Sequence, residues 1–154
     1  MNELKASVAD AGGHRLPVSK LRGVPQTARV RLKNLRITTC GQLLAAAATP
    51  QGRTRVAAAT GIDPALLLQL VQRADLARIN GIGTVFGLML EALGVTDVGR
   101  LAGQEAATLH QALRSFNQEE RLARRSPTPE EVGEWIVAAR AIRCHVVETP
   151  APPD

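Results

Sequence analysis

Ile79-Asn80-Gly81-Ile82-Gly83 decides how this chain is read, because a related stretch, Leu21-Arg22-Gly23-Val24-Pro25, stands 58 residues earlier. The correspondence continues past the turn. At the same offset of 58, Leu32 falls on Leu90, Leu35 on Leu93, Ile37 on Val95, Thr38 on Thr96 and Leu43 on Leu101. Apolar positions kept in step over such a length mark a duplicated unit, and a repeat sets the architecture of the whole chain.

The composition says what the units are made of. Of 154 residues 45% are hydrophobic, mainly Ala, Leu and Val, with no Tyr, one Trp (Trp135) and two Phe (Phe86, Phe116). Ala and Leu favour helices, whereas strands draw on β-branched and aromatic residues. An all-α fold with small-residue helix contacts follows. The scarcity of aromatics argues against single-stranded nucleic-acid binding, which needs stacking platforms. The length suits one domain, or two small units sharing a core.

Residues 1–17 read as a poorly ordered lead-in, after which Ser19 is placed to cap a short helix over Leu21. The first turn leads into a helix from about Gln26 to Asn34, with Ala28, Leu32 and Leu35 at helical spacing. Thr38 or Thr39 caps a helix carrying Leu43, Leu44 and Ala47, stopped by Pro50. A short helix over Thr54–Ala59 ends at Thr60-Gly61, and Asp63-Pro64 starts a longer one through Leu67, Leu70, Val71 and Ala74, which continues or breaks briefly near Asp75 before Leu76–Ile79.

The second copy repeats this plan. A helix over Phe86, Met89, Leu90 and Leu93 closes at Gly94 as a left-handed cap. Thr96 caps the next, with Val98 and Leu101, and another spans roughly Ala106–Ser115. Thr128-Pro129 then mirrors Asp63-Pro64 at an offset of 65, which sets Leu70 on Trp135, Val71 on Ile136 and Ala74 on Ala139. The second copy has therefore gained 7 residues, in the charged segment Asn117–Ser126. The expected organisation is a first unit over 18–76 and a second over 77–146, each of about five short helices. The two pack as one compact domain because neither half has ample apolar surface alone. A Pro-rich tail, 147–154, is expected to be disordered.

Charge divides the halves. Residues 1–75 hold 11 Lys and Arg against 4 acids, while residues 76–154 hold 8 against 10. The first half can attract a polyanion; the second cannot on charge alone. Two cysteines do not make a disulfide framework, and Cys40 falls on Val98, so it reads as a small buried hydrophobe. No signal-like apolar stretch opens the chain, and the longest apolar runs are too short to cross a bilayer. The expectation is a soluble, cytoplasmic protein with no membrane partner.

Enzymatic readings find little support. His14, His110 and His145 are scattered, and Cys144-His145 alone lacks the three or four converging ligands a metal needs. No nucleophile triad, Walker loop or dinucleotide fingerprint is present, and the carboxylate pairs Glu119-Glu120 and Glu130-Glu131 lie in charged segments. The chain is read as non-catalytic, without metal, cofactor or small-molecule substrate.

The Gly-Ile-Gly turn carries the functional argument. Gly81 is suited to a positive φ, Gly83 to close backbone approach, Ile82 to anchoring the turn, and Gly87 to the passage of a partner helix. The helix after it offers free N–H groups and a positive dipole end, which hold a phosphate oxygen without any base contact. This pattern resembles the helix-hairpin-helix motif, closely over Leu76–Leu101 and more loosely over Leu21–Leu43, where Pro25 replaces the second Gly. That resemblance implies sequence-independent binding of the duplex DNA backbone by two motifs paired about a pseudo-twofold axis. The plan over residues 18–143 is also similar to domain-of-unknown-function family 4332 of bacteria, including its closing stretch with Arg124-Arg125, Pro129 and Trp135-Ile136. It implies a fold, a SAM-like bundle of tandem helix-hairpin-helix units, and no settled activity.

One departure separates the copies. Thr84-Val85-Phe86 follows Gly83 where such motifs usually carry Lys or Arg, whereas Arg22, Arg29, Arg31, Lys33 and Arg36 surround the first turn. Phosphate neutralisation supplies most non-specific affinity, so any polyanion belongs to the first copy first. Arg22, Arg29 and Lys33 are spaced to share one side. Two functions remain. The first is a duplex DNA module using Arg22, Gly23, Arg29, Arg31, Lys33 and Arg36, with Gly81, Ile82, Gly83 and Thr84 as a second phosphate contact. The second is a protein-interaction adaptor, with the hairpins as scaffold, the basic residues a solvated face and Arg124-Arg125 paired to Glu119-Glu120. Trp135, in step with Val132, Ile136 and Ala139, reads as core or, alternatively, as a partner-binding anchor.

Overall fold

A computed structural model describes residues 15–21, 23–142 and 146. Most of the lead-in, the tail from 147, Arg22, His14, Cys144 and His145 therefore lie outside the described residues. Among the described residues the fold is all-α. A 3-10 turn, Val18–Lys20, precedes α1 (Gln26–Asn34), α2 (Cys40–Ala47), α3 (Pro50–Thr60), α4 (Pro64–Leu76), α5 (Gly83–Ala92), α6 (Val98–Ala102), α7 (Ala106–Glu120) and α8 (Pro129–Ala141). Among the described residues, four α-helices fall within 18–76 and four within 77–146, where the sequence suggests about five in each.

Several helix contacts of the two halves run in parallel. α2 lies against α4 and α6 against α8; α3 meets α4 as α7 meets α8; and α1 meets α3 as α5 meets α7. Even the helix ends agree. Ile37 N–H donates to the Leu32 carbonyl at 2.9 Å, and Val95 N–H donates to the Leu90 carbonyl at 2.8 Å. Such a bond closes around a left-handed residue. Gly94 takes that role at φ 84°, as its sequence position predicts, and Arg36 takes it in the first copy at φ 62°.

Several boundaries differ from the sequence reading for identifiable reasons. Pro50 does not merely stop α2; it occupies the first turn of α3, with Thr49 as the cap, where its missing N–H costs nothing. The cap of α6 is Asp97, which accepts from Arg100 N–H, rather than Thr96. Ser19 sits inside the 3-10 turn, and Pro17 precedes it. The end of the lead-in is held by backbone bonds: Val18 N–H donates to Thr38 and Cys40 N–H to Leu16, each at 2.8 Å. α7 runs through the first part of the charged insert to Glu120. The rest folds around Asn117, whose amide exchanges two hydrogen bonds with the Ala123 backbone at 2.9 and 3.2 Å.

Two apolar clusters form the core. One gathers Leu32, Cys40, Leu43, Leu67, Leu70 and Val71, and the other gathers Leu76, Met89, Leu90, Leu101, Leu113 and Trp135. Cys40 is fully buried, and burial pushes its thiol up to about 12, as befits a packed hydrophobe. The clusters divide within α4, between Ala74 and Leu76. Polar contacts tie the division together. Arg73 grips Glu91 on α5 through two bonds of 2.9 and 3.0 Å. Asp75, fully buried, pairs with the equally buried Arg78 at 2.8 Å and accepts from Val98 N–H at 2.9 Å.

Candidate nucleic-acid interface

The two turns that open α1 and α5 share a backbone device. Gly23 has φ 78° and Gly81 has φ 92°, a region that side chains with a Cβ rarely enter. The turns then diverge: Pro25 has φ −62°, while Gly83 is left-handed at φ 67°. The close approach expected at Gly83 is not there, since a Cβ built on it meets nothing within 4 Å. Its glycine answers to conformation. Gly87 likewise faces Ile82 of its own turn, at 3.6 Å, rather than a passing helix. Ile82 is 2% exposed and anchors the turn in the second core.

The starts of α1 and α5 differ from every other α-helix start among the described residues. Thr39, Thr49, Asp63, Asp97, Glu105 and Thr128 each cap their helix with a side-chain oxygen. Pro25 before α1 and Ile82 before α5 do not. A helix start without a cap leaves N–H groups for solvent or an anion, together with the positive end of the dipole. Gln26, Thr27, Gly83 and Thr84 are all exposed there.

The basic residues of the first unit separate into groups. Arg29 and Lys33 line one shallow depression with Pro17, Ser19 and Thr38. Arg36 is exposed just beyond α1. Among the described residues none of these three has an acidic partner. Arg31 is set apart, its Nη1 donating to the Thr60 carbonyl at 2.9 Å, where it closes the end of α3. Arg22 lies outside the described residues.

The second turn opens on a groove of about 310 Å³ lined by Gly81, Gly83 and Thr84 together with Lys20 and Arg73. Arg73 also reaches the first turn, its Nη1 lying 2.8 Å from where a Cβ on Gly23 would sit. One guanidinium thus borders both turns. Arg73 and Lys20 are not among the site residues the sequence predicts. Lys20 is legible as a cation three residues before Gly23, whereas Arg73 has no local signal, because its place depends on packing α4 against α5. Elsewhere, Arg125 pairs with Glu131 at 2.6 and 3.0 Å, instead of with Glu119-Glu120, and its guanidinium lies 5.5 Å from the Phe86 ring centre.

Residues 22–142 match the Domain of unknown function (DUF4332), and the chain belongs to that family. No curated protein and no solved structure matches it. Among the described residues no helix is long and apolar enough to cross a membrane, and no group of three or more His, Cys, Asp or Glu is placed to hold a metal.

Proposed function

We propose that this protein is a non-catalytic module that binds duplex DNA by its phosphate backbone, without reading sequence, through two helix-hairpin-helix-like units. The observation that carries the reading is the pair of uncapped helix starts: α1 and α5 alone among the described α-helices lack a side-chain cap, and each follows a left-handed glycine turn. An anion at such a start gains about 0.3–1 kcal/mol. Charge contributes more. Lys20, Arg29, Lys33 and Arg36 are exposed and have no acidic partner among the described residues. Four neutralised phosphates give a salt slope of about −3.6, on the order of a hundredfold in affinity between 50 and 200 mM salt.

Fluorescence anisotropy of a labelled random-sequence duplex, titrated at several salt concentrations, tests this directly. The expected result is weak binding with that slope and no preference among unrelated sequences. Affinity indifferent to salt rejects the proposal. A second reading, a protein-interaction adaptor, draws on Val30 and Leu35, which are 48% and 42% exposed on and beside α1. It predicts a defined protein partner that nuclease treatment does not release.

A further inference from the structure

Trp135 is 2% exposed, and its indole N–H has no acceptor among the described residues. Buried donors are nearly always paired, so an open one needs a reason. Its position supplies one. Nε1 lies 3.4 Å from where a Cβ on Gly81 would stand, so the indole nitrogen packs beside the side of the turn that glycine leaves bare. A methyl group there would rest against the N–H and cover it. Phe86, from the first turn of α5, packs against the ring, with the two ring centres 5.5 Å apart at 50°. In the first unit the equivalent position is Leu70, which has no donor to offer.

We infer that the Trp135 indole N–H is a donor to an oxyanion held at the Gly81 turn, beside the uncapped N–H groups of Gly83 and Thr84. That this oxyanion is a nucleic-acid phosphate rests on the proposed duplex binding. The donor itself rests only on the geometry of Trp135 and Gly81. It gives the second turn, which lacks a Lys or Arg after Gly83, a neutral contact to phosphate. Gly81 then serves twice, in adopting φ 92° and in placing no side chain against the indole nitrogen.

Trp135 is the single tryptophan, so its indole N–H is one resolved cross-peak in a proton–nitrogen correlation spectrum. The full chain is titrated with inorganic phosphate at constant ionic strength, and separately with a random-sequence duplex. Both are expected to move the indole peak together with the Gly83 and Thr84 amides. Trp135→Phe keeps the apolar packing and is expected to lower phosphate affinity about tenfold, the effect of losing one hydrogen bond to a charged group. Circular dichroism checks that this variant is folded. An indole peak that stays still while phosphate moves the two amides overturns the inference, as does a phosphate titration that moves none of the three. Unchanged affinity in a folded Trp135→Phe does the same. If phosphate moves all three but the duplex does not bind, the oxyanion donor stands and the duplex reading falls. If the duplex binds with the indole unmoved, the reverse holds.

Discussion

In the first unit the amide that opens α2, Cys40 N–H, is accepted by the backbone carbonyl of Leu16 at 2.8 Å. In the second, the matching amide of α6, Val98 N–H, is accepted by the buried Asp75 carboxylate at 2.9 Å. The turns differ in the same manner. The helix after the first turn carries Arg29 and Lys33, which have no acidic partner among the described residues; the second turn has Thr84 and the neutral Trp135 indole, and the Arg73 guanidinium that borders both turns is committed to Glu91. The two amides are placed alike, while the groups that meet them differ. Backbone conformation is fixed by sterics and resists drift, whereas an acceptor can be a carbonyl or a carboxylate as long as it arrives at the same place.

The sharpest break in this comparison comes from Asp75→Ala. It leaves Arg78 buried without this carboxylate and Val98 N–H without its acceptor, and is expected to destabilise the protein by about 3–5 kcal/mol in urea titration. Next is Arg29→Glu combined with Lys33→Glu. Duplex affinity at low salt is expected to fall on the order of a hundredfold, with a shallower salt slope, while Arg114→Glu, an exposed change in the second unit, leaves it unaltered.

Smaller effects test the left-handed helix ends against each other. Gly94→Ala is expected to cost about 1 kcal/mol, and Arg36→Gly to stabilise by up to about 1 kcal/mol, both read from thermal unfolding. Smallest is the acid limb. The Arg125 guanidinium, with help from Thr128 N–H, holds the Glu131 carboxyl down to about 2, below the ordinary value of about 4.3. Its contribution is therefore complete above about pH 4.5 and is lost as pH falls towards 2. Because the pair is at the surface, less than about 1 kcal/mol is involved, and Glu131→Gln should flatten stability over that window.

The repeat is legible in the sequence because apolar spacing and glycine turns are local. The offset of 58 places Gly23 on Gly81, and the place of Gly94 just past an apolar helical run predicts its left-handed cap; all three glycines adopt positive φ. Helix starts are less legible where two candidates stand side by side: Thr96 and Asp97 are both good caps, and only the position of Arg100 N–H selects Asp97. Arg73, Glu91, Asp75 and Trp135 act across separations that no periodicity records. Arg53 belongs with them; in the sequence it counts only as charge, yet it is buried and donates to the Ala47 and Ala48 carbonyls at 3.1 and 3.0 Å. The basic cluster of α1 is visible as composition, but its division into Arg29 with Lys33 on one side and Arg31 on another needs the helix in place.

α4 contributes Leu67, Leu70 and Val71 to one cluster and Leu76 to the other, and its Asp75 serves a helix of the neighbouring copy. A gene fragment beginning at residue 77 would carry the amide of Val98 into the interior with no carboxylate to receive it. The second half is therefore not self-sufficient: the interior acceptor for the first amide of α6 comes from before residue 77.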